Sequence, residues 1–202
     1  MLTDQQLIAR VKACDLCLPH LPDGVRPVIQ FDPQARILIA AQAPGRRVHE
    51  TGIPFNDPSG DRLRQWMGIT PETFYDPRQV AILPMGFCYP GTGKSGDLPP
   101  RKECAPQWRQ QLMDRLPNLQ LILVIGQYAQ AWHLSEKGSV TEIVSHWRDY
   151  VKQDQAPAVF PMPHPSPRNN IWLKRNPWFE EALVPELQTR IHQVLMADPS
   201  RG

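Results

Sequence analysis

A chain of 202 residues, 41% hydrophobic and 21% charged, is long enough for one well-buried core and short for two, so a single domain over residues 1–202 is expected. The formal net charge of +2 excludes a global basic field, and contact with nucleic acid must then come from local clusters such as Arg46-Arg47 and Lys174-Arg175. No apolar run approaches the ~20 residues that span a bilayer. The amphipathic start MLTDQQLIARVKAC lacks the basic end and apolar stretch of a secretory signal, which points to a cytoplasmic protein.

In chain order, Thr3 to Cys14 reads as a helix with Thr3 as its N-cap. Arg36 to Ala41 is a short apolar run closed by Pro44-Gly45, the pattern of a buried parallel strand. Ser59 to Met67 is helical, with Gly68 near its end, and Val80 to Leu83 is a second buried strand, closed by Pro84. Cys104 to Leu116 is helical, and Leu119 to Ile125 is the clearest strand, followed by Gly126 and a helix through His133. Ala158 to Phe160 is a fourth strand and Trp178 to Met196 a last helix. Alternating strands and helices predict an α/β three-layer sandwich around a central, mainly parallel four-stranded sheet. Ligands of such sheets bind beyond the carboxyl ends of the strands. Three distinctive loops fall there: AQAPGRR, PMGFCYPGTGKSG and PMPHPSPRNN.

Proline is unusually frequent, with 23 residues, and its fixed φ makes the proline-rich stretches ordered loops. His164, in His164-Pro165-Ser166-Pro167, is poorly suited to packing. It is well suited to presenting a neutral imidazole to a developing anion, a contribution on the order of 3 kcal/mol to a transition state. His20, His133, His146 and His192 read as structural or exposed. Phe55 taken alone reads as core; held behind Pro54 it also suits a stacking platform for a nucleobase. Gly45 permits close approach of backbone to a ligand.

Cys14-x-x-Cys17, Cys88 and Cys104 are a complete four-thiolate ligand set. Spacing alone leaves zinc and an iron–sulfur cluster about even. Gly91-Thr92-Gly93-Lys94-Ser95-Gly96 superficially suggests a phosphate loop. That motif needs a glycine where Cys88 stands, so a nucleoside triphosphate site is rejected. What remains is a flexible, weakly basic loop in which Lys94 could meet DNA phosphate.

Taken together, Cys14–Cys17, Ala41–Gly45, Gly52–Phe55 with Gly60, Cys88-Tyr89-Pro90-Gly91, Cys104 and His164–Pro167 resemble, in order, the uracil-DNA glycosylase superfamily. The nearest branch is the four-cysteine iron–sulfur branch (family 4). The resemblance implies that Gln42 and Ala43 line the base and the attacking water, with Pro44 and Gly45 completing that wall. It implies that Phe55 stacks on a flipped base and His164 hydrogen-bonds its departing oxygen. Ser166, Arg168 and Asn169 would lie at the DNA, and the four cysteines would hold a [4Fe–4S] cluster, with zinc the lesser alternative. The partner is then DNA carrying a damaged or deaminated base, bound by a monomer.

Two positions depart from the branch. Its first-motif glutamate is Gln42, and its pyrimidine-reading asparagine is Pro84. Asp57 or Asp61 could supply the missing carboxylate. The expected function is a monofunctional DNA glycosylase acting on uracil or another deaminated or damaged base. The alternatives are a catalytically silent DNA or nucleobase binder of the same fold, and a metal or iron–sulfur protein without base recognition.

Overall fold

The computed structural model describes residues 1–152 and 154–197. In chain order the elements are α1 (Asp4–Lys12), β1 (Ile37–Ala40), α2 (Arg46–Thr51), α3 (Pro58–Met67), α4 (Pro71–Phe74), β2 (Val80–Ile82), β3 (Thr92–Gly93), β4 (Gly96–Asp97) and α5 (Cys104–Met113). They continue with β5 (Leu121–Ile125), α6 (Gly126–Leu134), α7 (Val140–Ser145), α8 (Trp147–Tyr150), β6 (Ala158–Met162), α9 (Asn170–Arg175) and α10 (Val184–Met196).

Strands β1, β2, β5 and β6 form one parallel sheet in the order β2-β1-β5-β6. Both faces are covered, as uninterrupted apolar strands require. Ile37 and Ile39 pack with Leu63, Trp66, Leu187 and Ile191 of α3 and α10. Leu38 and Ala40, one residue out of phase, pack with Leu7, Val11, Trp108 and Leu112 of α1 and α5. The period-2 alternation of side chains along each strand thus divides the core into two layers, one on either side of the sheet. This is the predicted three-layer α/β arrangement.

Several boundaries differ from the sequence reading by one to three residues, and two departures have clear reasons. β6 runs on through Pro161 to Met162 because it is an edge strand paired only with β5, where a missing N–H is tolerated. The last helix is not one continuous element: Phe179–Leu183 winds as a π-helix before α10. Pro185, which has no N–H to give, sits at the junction. Gln130, fully buried, donates through Nε2 to the carbonyls of Val124 (3.3 Å) and Met162 (3.0 Å). It thereby ties together the carboxyl ends of β5 and β6. Among the described residues no helix is long and apolar enough to cross a membrane.

Candidate active site and thiol cavity

A cavity of about 450 Å³ opens beyond the carboxyl ends of the strands. Gln42, Ala43, Pro44 and Gly45 enter it after β1, Phe55 and Asp57 before α3, and Pro84 after β2. Ser95, Gly96, Asp97 and Leu98 come from the β3–β4 hairpin, and His164, Ser166, Arg168 and Asn169 from the turn after β6. The fold therefore brings together nine of the ten residues expected to act at the base or the DNA, and with them Asp57 and Pro84. Lys94 is not among the lining residues. It lies exposed in the turn between β3 and β4.

His164 is held as a hydrogen-bond donor. Its Nδ1 accepts from the Ser166 amide at 3.1 Å, which leaves the proton of the neutral ring on Nε2. Its carbonyl accepts from Asn169 Nδ2 at 2.7 Å. Burial holds its pKa below the ordinary histidine value, against the opposing pull of Asp57 and Asp97. A neutral imidazole results, with one N–H available.

Phe55 has a left-handed backbone, φ +55°, which a bulky residue adopts only when its surroundings enforce it. They do so from three sides. Arg64 Nη1 donates to the Phe55 carbonyl at 3.3 Å and to the Tyr75 hydroxyl at 3.1 Å, and that hydroxyl donates to the Pro54 carbonyl at 2.9 Å. The Phe55 ring meets Phe74 edge-on, centroids 6.0 Å apart. Gly60 closes the third side, since a Cβ there would lie 1.8 Å from the Phe55 carbonyl oxygen. Asp57 caps α3 by accepting the Gly60 amide at 2.9 Å.

Two carboxylates reach this cavity, and one of them was not anticipated. Asp57 is on the wall. Asp61 points away, its side chain 80% exposed and paired with Arg64 at 2.8 Å, so of the two carboxylates suggested by the sequence only Asp57 faces the site. Asp97 joins it because the glycine-rich run is a hairpin rather than a flexible loop. Gly93 pairs with Gly96 across the two-residue turn Lys94-Ser95, and Gly91 and Gly96 take φ of +103° and +125°, values that favour glycine. Two glycines bracketing a polar pair were the available signal. The hairpin is moored to the turn after β6, where Arg168 Nη1 donates to the Ser95 carbonyl at 3.3 Å.

Behind Pro84 lies a buried cation. Arg109, 1% exposed, donates to the carbonyls of Leu83 (2.8 Å) and Pro84 (3.2 Å) and to His133 Nε2 (2.8 and 3.0 Å). Burial and the neighbouring Arg109 push His133 down to about 3, so it serves as a neutral acceptor. A helical arginine carries no sequence mark of such burial.

A second, small cavity is lined by all four cysteines, Cys14, Cys17, Cys88 and Cys104, with Arg101 and Trp108. Among the described residues no three of His, Cys, Asp and Glu gather closely around one point as ligands of a single ion would. Two of the sulfurs have an N–H beside them. Trp108 Nε1 donates to Cys14 Sγ at 3.3 Å and the Phe87 amide to Cys104 Sγ at 3.4 Å. Arg101, which borders this cavity, opposes the burial that raises Cys17. Burial raises Cys88 to about 11 and Cys104 to about 12, so ionised thiols here need a compensating positive centre. Four thiols lining one small cavity, two of them with an N–H donor on the sulfur, are chemically suited to a metal–thiolate group.

Residues 28–188 match the family model of the uracil DNA glycosylase superfamily.

Proposed function

The chain belongs to the uracil DNA glycosylase superfamily, whose members act on DNA, and from this premise we propose that it is a monofunctional DNA glycosylase of base-excision repair that hydrolyses the N-glycosidic bond of uracil or another deaminated or damaged base. The observation that carries this reading is His164, a neutral imidazole with Nδ1 engaged and Nε2–H free, in a cavity shared with Phe55 and Gln42.

The flipped base lies against Phe55, and flipping itself selects damaged sites because a mismatched base is easier to extrude. As the C1′–N bond breaks, its electron pair leaves with the base. Nε2–H of His164 hydrogen-bonds the base oxygen on which the negative charge collects. A water oxygen then bonds to C1′, and the proton it sheds reaches the departing base through solvent, leaving free base and an abasic site. Gln42 and Asp57 border the water. Ser166, Arg168 and Asn169 stand where the extruded nucleotide enters.

The thiol cavity is read as the seat of a [4Fe–4S] cluster held by Cys14, Cys17, Cys88 and Cys104, as in the four-cysteine branch. Such a cluster would supply structural cross-linking between the end of α1, the loop after β2 and the start of α5. The protein is proposed to work as a cytoplasmic monomer.

Gln42 and Pro84 favour a second reading. With no carboxylate in the first loop and no amide at the base edge, the same pocket would suit recognition of a damaged base without turnover. Excision from single- and double-stranded oligonucleotides carrying uracil, hypoxanthine, xanthine or oxidised pyrimidines separates the two, with anaerobically purified wild type run beside His164→Ala. Cleavage that falls about 10²- to 10³-fold in the variant supports the glycosylase. DNA bound but uncut at high enzyme leaves the recognition reading.

A further inference from the structure

Asp97 is the open carboxylate of the cavity. Asp57 has one oxygen committed to capping α3. Asp97 is exposed on the cavity wall, with Oδ2 3.5 Å from where a Cβ on Gly45 would stand. It therefore borders the loop of Gln42-Ala43-Pro44-Gly45, the loop in which the chain carries an amide in place of a carboxylate. The hairpin that bears it is fixed at several points. The Leu98 amide donates to the Gly91 carbonyl at 2.8 Å, and Tyr89 hydrogen-bonds Thr92. Arg168 holds Ser95 and lies so close to Gly96 that a Cβ there would meet its Nη1 at 2.3 Å.

An anion in this cavity helps the reaction on only one side. Beside the departing base it would oppose the negative charge that His164 receives. Beside the sugar it would stabilise the positive charge left on C1′ and O4′ as the bond breaks. We propose that Asp97 is the sugar-facing carboxylate of this site, delivered by the β3–β4 hairpin to the edge of a first loop that has lost its own. It stays ionised throughout, forms no bond to carbon and takes no proton. The inference rests on the reading of the cavity as a glycosidic-bond site.

Binding to abasic-site analogues tests it without requiring that the excised base be known. Fluorescence anisotropy at fixed ionic strength compares an oligonucleotide carrying a neutral tetrahydrofuran site with one carrying a cationic pyrrolidine site. Wild type is expected to prefer the cationic analogue about tenfold, the order of one partly screened charge pair. Asp97→Asn is expected to lose that preference, read as the ratio of its affinities for the two DNAs. Asp61→Asn, whose carboxylate points away, is expected to keep it. A preference that survives Asp97→Asn, or no preference in wild type that binds both DNAs, overturns the assignment. Failure to bind either DNA overturns the glycosylase reading itself, and the assignment with it.

Discussion

The Ser166 amide donates to His164 Nδ1 at 3.1 Å, so a single backbone hydrogen bond, two residues along the chain, decides which ring nitrogen faces the cavity. Burial then keeps the ring neutral below the ordinary histidine range. Single-turnover excision rates should therefore stay level as pH falls from about 8 through about 6.5, the unperturbed value, and decline only below it. A break at or above that value would mean that the ring titrates as an exposed histidine and is not held as described.

Gly60→Ala should destabilise the protein by more than about 2 kcal/mol, because the added methyl meets backbone rather than a movable side chain. The collision is with the carbonyl of Phe55, so thermal melting should fall together with affinity for abasic-site DNA. Unchanged melting would show that the left-handed turn at Phe55 is not fixed by this contact.

His133 gives a pH signature of its own. Its folded value near 3 lies below the unfolded value of about 6.5. The unfolded chain thus binds the extra proton first as pH drops. The associated stability is present above about 6.5 and is lost progressively as pH falls toward the folded value, at up to about 1.4 kcal/mol per pH unit. His133→Gln keeps an acceptor for Arg109 and removes the titration. Urea unfolding at pH 7 and pH 5 should show wild type losing about 2 kcal/mol more than the variant, and equal losses would place the titration elsewhere.

Cys104→Ser, tested on protein purified without air, should abolish the broad visible absorbance of an iron–sulfur centre and lower the melting temperature. Cys104 is buried at the start of α5, where its sulfur accepts the Phe87 amide, so the proposed cluster would tie α5 to the loop after β2. Absorbance retained at wild-type intensity would remove Cys104 from the ligand set.

The layered core was legible because β1, β2 and β5 are uninterrupted apolar runs and Gly68 closes α3 in a left-handed cap. The His164 turn and the Gln42 loop were legible because prolines and glycines mark them. Asp97 was hidden inside a run whose lysine and serine suggested phosphate, while the fold uses that run's glycines to make a hairpin. Arg109 was hidden for a different reason: its partners are backbone carbonyls and a histidine 24 residues away, and no local pattern encodes those. Short helices such as α2 and α8 carry too few turns to show a period.

One stretch of backbone belongs to both cavities. It leaves β2 at Pro84 on the wall of the first, passes Cys88 in the second, and returns to the first at Ser95 to Leu98. Mechanically it is a strap pinned at its middle. A change at Cys88 would be felt at both of its ends, the Pro84 wall and the hairpin that carries Asp97, although Cys88 itself is no part of the first cavity's lining.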